Sequence, residues 1–344
     1  MALHQAIQSV LLVGTRLNIP PPPEPAAAPE RLEPLIQALA PAHRKFDEHA
    51  MRYGHRYRSG FWAIYLLSAI AVLFAVLPLA LGWDDRRHVL HPFVGLWALA
   101  EVGVIGIVSA IYWLGHRGDW QGEWLRARTT AELTWYLPLV APLLDFDRDD
   151  ATANWYVQVF DPGQHLRSGD DVTRICSKFE PLARTLLEGA WTDPKFVSSY
   201  ALWTMSILEG QTHYHHRVAA KQHALLHRVH SVNSGLFGLT AVGALLHLIV
   251  HTLWLSLITT FFPALGASLH GALAQSEAYR LGATSERIAV ELQAAIGKIR
   301  ETTEKTTAAS AREIKDSIQA AIELILEEHQ DWHMLVRPHH LPLA

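Results

Sequence analysis

The chain has 344 residues, of which 50% are hydrophobic, and its formal net charge at pH 7 is −4. This charge is uninformative about partners, and we expect no nucleic acid among them. The mean hydropathy of +0.10 is modest, as expected when apolar membrane spans are diluted by polar helices. A single cysteine, Cys176, excludes a disulfide framework.

The N-terminal region, residues 1–29, predicts a short helix followed by a linker. Residues 1–18 could form one amphipathic helix, whereas Pro20–Pro29 has the sequence PPPPEPAAAP and predicts a stiff, unpacked segment. Because Met1–Gly14 carries no basic region, we expect no cleavable signal peptide.

Residues 30–144 predict a first membrane hairpin with flanking helices. Helical spacing from about Glu30 leads into Ser59–Trp83, a run without Asp, Glu, Lys or Arg. About 20 apolar residues suffice to cross a bilayer, and a second apolar stretch follows, interrupted only by Glu101. The predicted elements are spans at 60–81 and 93–114 and a polar exit helix at Gly118–Leu144.

Residues 145–230 predict a polar middle region. Asp145–Asp171 is loop-rich, with the sequences DFDRDD, DPGQ and SGDD, and suggests a small irregular excursion. Phe179–His230 shows helical spacing with a kink expected near Pro194.

A second hairpin is predicted at 231–275, followed by a C-terminal region at 276–344. Val229–Ser276 contains no Asp, Glu, Lys or Arg and is too long for one span. We therefore predict two short spans, at about 234–250 and 253–271. Beyond them, apolar residues at helical spacing predict one long polar helix from Glu277 to about Trp332.

These elements predict an all-α integral membrane protein with two repeated transmembrane hairpins, four spans in all, and long cytoplasmic helices. Basic residues such as Arg58, Arg117, Arg228 and Arg280 flank the polar ends of the spans. By the positive-inside rule, both termini and the middle region should lie in the cytoplasm. We expect a multi-pass protein of the inner (plasma) membrane.

Six polar residues recur at a fixed offset of 154 positions, after each predicted hairpin. Such a self-match indicates a repeated structural unit. The most plausible role of this repeat signature is to pack the two exit helices against each other around a pseudo-twofold axis. A ligand site built from Arg126 and Arg280 is a weaker alternative. The signature comprises His116, Gln121, Glu123, Arg126, Thr130 and Glu132, then His270, Gln275, Glu277, Arg280, Thr284 and Glu286.

Three ionisable residues are candidates for a pore or a subunit interface. Glu101 lies within an apolar span, where a carboxyl normally faces protein or water, although it could instead snorkel to the outer surface. His247 and His251 lie near the outer end of the third span, and they could line a pore mouth, bind a metal, or contact headgroups.

A histidine stripe, defined as His216, His223, His227 and His230, falls on one helix face. Two histidines at i, i+4 can share a zinc ion, but no cysteine or carboxylate completes the set. A surface facing lipid headgroups or a partner helix is the better interpretation, and we expect no metal and no cofactor. No phosphate loop, HExxH or GxSxG motif occurs, so an enzyme is not expected.

Two segments resemble the SLATT superfamily, which comprises two-transmembrane effector domains associated with bacterial SMODS and SLOG nucleotide-signalling systems. They are HRYRSGFW (His55–Trp62) and WQGEWLRARTTAEL (Trp120–Leu133). Gly210–His230 and Pro263–Ala289 look like the second half of long members. The resemblance covers roughly residues 46–300, and this chain differs from the simplest members in having two hairpins and no recognisable sensor domain.

The resemblance implies an inner-membrane effector of an antiphage or conflict system. Such a protein would form a homo-oligomer that opens a pore or disrupts the membrane, under the control of a separate protein that senses or makes a nucleotide signal. A non-conducting scaffold or sensor that presents cytoplasmic helices to a soluble partner is the alternative. A third possibility, an intramembrane metal-dependent enzyme, rests on the 21 histidines alone.

Overall fold

The computed structural model describes residues 2–15, 17, 19–144, 168–304 and 311–336, and these residues contain helices and no strand. The predicted excursion at Asp145–Asp171 lies almost wholly outside the described residues, as does the C-terminal tail from residue 337. The helices are α1 (Leu3–Leu11), α2 (Glu33–Ala80), α3 (Val94–Arg117), α4 (Trp120–Val140), α5 (Ser168–Leu187), α6 (Pro194–Ile249), α7 (Leu253–Gln275), α8 (Ala278–Glu304) and α9 (Ala311–Val336). Short 3-10 helices occupy His91–Phe93, Ala141–Leu143 and Ala190–Thr192.

Four of these helices contain stretches that are long and apolar enough to cross a membrane: α2, α3, α6 and α7. The apolar stretches of α2 and α6 are the C-terminal halves of helices that begin in polar sequence. The boundary predicted between residues 230 and 231 therefore falls inside α6, which is continuous from Pro194 to Ile249. A local charge pattern cannot mark such a boundary, because the helix crosses it without a break.

The four apolar stretches, called here the apolar layer, lie side by side in the order α3, α2, α7, α6. Extensive contacts join α3 to α2, α2 to α7, and α7 to α6, whereas α3 and α6 share no contact of that extent within the described chain. In the two inner helices 22% of the most apolar stretch is buried, against 6% in the two outer helices. The layer is therefore an open row with two exposed edges.

Glycines set the close approaches within this row. A Cβ atom at Gly271 of α7 would lie 2.5 Å from the ring of Tyr65 on α2, and one at Gly243 of α6 would lie 2.9 Å from Ile258 on α7. Small residues allow helix backbones to approach closely where side chains cannot be accommodated. At Gly103 and Gly106 of α3, in contrast, an added Cβ atom would meet no other group within 4 Å, so these positions are open.

The remaining helices form a polar domain, made of the N-terminal halves of α2 and α6 together with α4, α5, α8 and α9. Its core contains Leu35 and Leu39 of α2, Tyr200 of α6, Leu292 of α8 and Ile318 of α9, all 2% exposed or less. The hydroxyl of Tyr200 donates to the backbone oxygen of Leu139 at 2.5 Å. Burial raises the pKa of this phenol above its usual range.

The exit helices occupy different positions from those expected. α4 lies mainly along α2, and α8 lies mainly along α6, rather than on each other. Gly54 of α2 accommodates the ring of Trp124, whose Nε1 atom would be 2.9 Å from an added Cβ. Each exit helix thus lies along the first helix of its own hairpin.

The C-terminal region is not one long helix, and the prediction of a single helix from Glu277 to Trp332 is wrong. α8 and α9 pack on each other, and the hydroxyl oxygens of Thr302 and Ser317 are 3.3 Å apart. In a continuous helix these residues would be about 22 Å apart, at 1.5 Å per residue. Folding back buries the stripe of Ile314, Ile318 and Ile322 against the polar domain.

Candidate functional site

Glu101 lies on the face of α3 that contacts α2. Residues 97, 101, 104 and 108 are the more buried positions along α3, while Leu99 and Val102 beside them are 67% and 65% exposed. One turn before Glu101, the ring of Trp97 packs edge-on against Phe74 of α2. Glu101 is half-buried and makes no ion pair or hydrogen bond within the described chain, so it lies in a helix-helix contact and not on an exposed edge.

His247 and His251 are neighbours, but only one of them lies on a helix. α6 ends at Ile249, so His251 follows in the connection to α7 and is exposed, while His247 is half-buried. Their ring centroids are 6.3 Å apart. Among the described residues, no three histidine, cysteine or acidic side chains come close enough to hold a metal ion.

The first copy of the repeat signature forms an ion-pair cluster at the start of α4. Arg126 donates to Glu123 at 2.5 Å and to Asp119 at 3.0 Å, and His49 of α2 lies 3.3 Å from the same glutamate. Burial alone would raise the pKa of the Glu123 carboxyl, but hydrogen bonds from Arg126 and His49 outweigh it and lower the pKa. Within this cluster the contact of His49 with Glu123 is the one that joins α4 to α2.

The second copy adopts a different backbone. Glu277 has a positive φ of 53° and precedes α8, whereas its counterpart Glu123 lies inside α4. In the first half the corresponding left-handed residue is Asp119, which caps α4 by accepting from the amide of Gly122. By the offset of 154 positions, the counterpart of Asp119 is Leu273, four residues before the left-handed Glu277. α7 therefore runs about one turn further than α3 before the chain turns. The pair between Glu277 and Arg280 persists at 3.7 Å.

The other signature residues serve several separate contacts. They are His116, stacked on Tyr112; Gln121, buried in α4; Thr130, which donates to the oxygen of Arg126; Glu132, paired with Arg128; His270, 6.4 Å from the His230 ring; Gln275, which donates to Tyr57; Thr284, half-buried; and Glu286, exposed. The structure does not bring Arg126 and Arg280 together into one described site.

The histidine stripe is exposed along α6. His223 also contacts α8, where its ring lies 3.1 Å from the position that a Cβ of Gly282 would occupy. The stripe therefore combines an outer surface with part of a helix contact.

A cavity of about 1050 Å³ lies where the polar domain meets the apolar layer. Its walls come from α2, α4, α6 and the start of α8. Phe61 and Trp62 line it on the side of the apolar layer, and α1 covers it with His4, Gln5 and Gln8.

Polar contacts hold α1 over the cavity. The Nδ1 atom of His4 lies 3.2 Å from the hydroxyl of Ser59, at the start of the apolar stretch of α2. Arg228 of α6 donates to the hydroxyl of Thr15 at 3.0 Å and to the backbone oxygen of Val13 at 3.2 Å. His4 is only 3% exposed. Burial, with Arg58, His55 and Lys221 nearby, lowers the pKa of the His4 imidazole to about 4.

Four cationic side chains line the cavity, and only one of them has an acidic partner. Arg128 pairs with Glu132 and lies 3.8 Å from Asp47. The third acidic residue of the lining, Glu277, pairs with Arg280, which lies outside the cavity. The remaining cations are Arg58, Arg217 and Lys221, which make no ion pair and no hydrogen bond within the part of the chain that is described.

Arg58 packs against the ring of Trp124 on α4. Part of Arg58 remains exposed to solvent, whereas protein crowds its guanidinium, and the residue lines the cavity. Its guanidinium carbon lies 4.8 Å from the ring centroid of Trp124, a cation-π contact. Burial lowers the pKa of this guanidinium, and the approach of Arg128 adds to the effect.

Sequence reasoning used Arg58 only to orient the protein and did not predict the cavity. A signal for it does exist. Residues 49–83 and 210–276 contain no aspartate or glutamate, so the cations of α2 and α6 near the apolar layer have no acidic neighbour at helical spacing. The packing of α2 against α4 and α7 decides which of these cations face the cavity.

In comparisons with known proteins, no family model, no curated protein and no solved structure matches the chain.

Proposed function

We propose that this chain is a four-span inner-membrane effector that acts as an oligomer, by opening a pore or by disrupting the membrane. The observation that carries the proposal is the open row of apolar helices. Leu99 of α3 and Leu245 of α6 are 67% and 64% exposed at the two edges of this row. Exposure of such apolar edges to water is unfavourable, and lipid or a second copy of the chain would cover them.

The basic residues support a proposed orientation of the protein in the membrane. Arg58, Arg117 and Arg228 lie at the ends of apolar stretches that join the polar domain. We place this domain and both termini in the cytoplasm, because cytoplasmic loops carry an excess of Lys and Arg. The succession α2–α3–α4 and then α6–α7–α8, together with the repeat signature, supports the proposal that the two hairpins arose by duplication.

This proposal requires an oligomer, because the described helices of one chain form an open row and not a closed bundle. The outer helices α3 and α6 lack an extensive contact with each other in the described structure, so the row does not close into a bundle. The resemblance of residues 46–300 to SLATT effectors supports a role in antiphage defence, with a nucleotide-linked partner protein that triggers assembly.

Membrane potential tests the proposed action. A voltage-sensitive dye is read after induction of the wild type, of Glu101→Gln, and of Glu286→Gln, a matched loss of charge at an exposed site of α8. Depolarisation that is altered by Glu101→Gln alone supports a conduit, and depolarisation that neither variant alters supports general disruption. A normal membrane potential, even when the proposed nucleotide-linked partner protein is present and activated, would contradict both a conduit and general membrane disruption.

Single-cysteine cross-linking tests the oligomer separately. In a Cys176→Ala background, Leu99→Cys and Leu245→Cys place thiols on the exposed edges, whereas Ala272→Cys places one at a fully buried site. We expect cross-linked dimers from at least one edge variant and none from Ala272→Cys. Monomers only, at every position, would contradict assembly through these edges.

A non-conducting scaffold is the alternative, and one observation favours it. Glu101 lies on the face of α3 that contacts α2, so the exposed edges offer few polar groups to line a water-filled path. A scaffold would cross-link as an oligomer without depolarising the membrane, which distinguishes it from the effector.

A further inference from the structure

We propose that the cavity between the polar domain and the apolar layer binds a phosphate-bearing ligand, held by Arg58, Arg217 and Lys221. The three cations come from two helices, α2 and α6, and converge on one space. Within the described residues none of the three has an acidic partner; Arg58 and Arg217 keep solvent-exposed surface, and Lys221 is half-buried.

The mutual influence of these cations supports their proximity. Burial lowers the pKa of the Lys221 ammonium, and Arg58 and Arg217 lower it further through like-charge repulsion. Such a cluster is electrostatically unfavourable while empty, and an anion would convert the repulsion into attraction. Guanidinium groups match the geometry of phosphate oxygens particularly well, because they donate two parallel hydrogen bonds.

The size of the cavity indicates a ligand larger than a lone inorganic phosphate. Small-molecule sites typically measure about 300–1,000 Å³, and this cavity measures about 1050 Å³. Besides the cations, its lining includes Gln8, Gln211 and Gln222, whose side chains can both donate and accept hydrogen bonds. A phosphate attached to a polar organic group fits this lining.

The position of the cavity allows two sources for such a ligand. Arg58 immediately precedes Ser59, the first residue of the charge-free run, so Arg58 lies at the level of a membrane surface in the proposed orientation. A phospholipid headgroup and a soluble nucleotide carry the same phosphate chemistry. Binding to purified protein does not require a pore, so this inference depends on the proposed function only for the choice between the two sources.

The experiment measures binding to the full chain purified into phosphatidylcholine nanodiscs. The soluble probes are pyrophosphate and ATP, measured by calorimetry, and the lipid probe is phosphatidic acid added to the nanodiscs, measured by native mass spectrometry. The variants are Arg58→Gln and Lys221→Gln, which lie on different helices, so that a folding failure of one leaves the other informative. Arg56→Gln is the control, since Arg56 is exposed on the same helix and does not line the cavity.

We expect at least one probe to bind, with affinity falling about 10- to 100-fold in each cavity variant, as for loss of a charge-assisted hydrogen bond, and little changed in Arg56→Gln. ATP or pyrophosphate binding would identify a soluble ligand, and phosphatidic acid binding a headgroup. Absence of binding by all three probes, or equal losses in Arg56→Gln and Arg58→Gln, would overturn the proposal. Binding that persists while the membrane potential stays normal would instead count against the proposed effector action alone.

Discussion

The side-chain amide of Gln275 donates to the hydroxyl of Tyr57 at 3.1 Å, joining two residues that are 218 positions apart. The bond ties the end of α7 to α2 at the level where the apolar layer meets the polar domain. Tyr57 is 4% exposed and also stacks on Trp124 of α4. Burial raises the pKa of this phenol to about 12, so the hydroxyl stays protonated at neutral pH.

Loss of this contact should measurably weaken the joint between the two hairpins. We expect Tyr57→Phe and Gln275→Leu each to lower the free energy of unfolding by about 1 kcal/mol, as for a typical hydrogen bond. Thermal or denaturant unfolding in a fixed detergent provides the measurement. In a double-mutant cycle the two effects should be less than additive, and full additivity would show that the side chains are not coupled.

The approach of α7 to α2 should be sensitive to one methyl group. Gly271→Ala would place a Cβ atom 2.5 Å from the Tyr65 ring, so we expect a loss of stability of about 1–3 kcal/mol, typical of an overpacked core. Gly103→Ala on α3 is the control, because the added Cβ atom there would have no other group within 4 Å. Equal unfolding midpoints for the two variants would argue against this helix contact.

The fold-back of α9 on α8 can be tested by a disulfide. In a Cys176→Ala background, Thr302→Cys with Ser317→Cys should cross-link under mild oxidation, because the native hydroxyl oxygens are 3.3 Å apart. Thr303→Cys with Ser317→Cys is the matched control, since the Thr303 hydroxyl instead donates to the backbone oxygen of Ile299. A continuous helix would give no intramolecular cross-link in either pair, as judged by the mass of tryptic peptides.

Docking of α1 over the cavity should depend on pH through His4. The pKa of this imidazole is about 4 in the docked state and about 6.5 when exposed. Released α1 therefore binds more protons between these values, and docking is fully stable above about pH 6.5 and weakens as the pH falls towards 4. His55, Arg58 and Lys221 face the same imidazole and disfavour its charged form.

Hydrogen-exchange protection factors of α1 at about pH 7.5 and about pH 5 would check this dependence. We expect lower protection at the acidic value in the wild type and a smaller change in His4→Gln, which cannot titrate. His55→Gln serves as a second control, because it leaves His4 in place. An identical pH response in the wild type and in His4→Gln would assign the effect to another group.

Much of the secondary structure could be predicted from the sequence. The predicted third and fourth spans, 234–250 and 253–271, agree with a helix that ends at Ile249 and another that begins at Leu253. Long runs without charge are a local property, and a helix satisfies its own backbone hydrogen bonds, so apolar sequence alone is enough to define these elements.

Only the tertiary structure decided how these helices are arranged. The order α3, α2, α7, α6, the face on which Glu101 lies, and the return of α9 onto α8 all depend on contacts between residues far apart in the chain. The same is true of the cavity, because Arg58 and Lys221 become neighbours only when α2 and α6 pack beside α4 and α8. A sequence pattern specifies which residues can be buried together, whereas the shapes of facing surfaces, such as Gly271 against Tyr65, select which of them are.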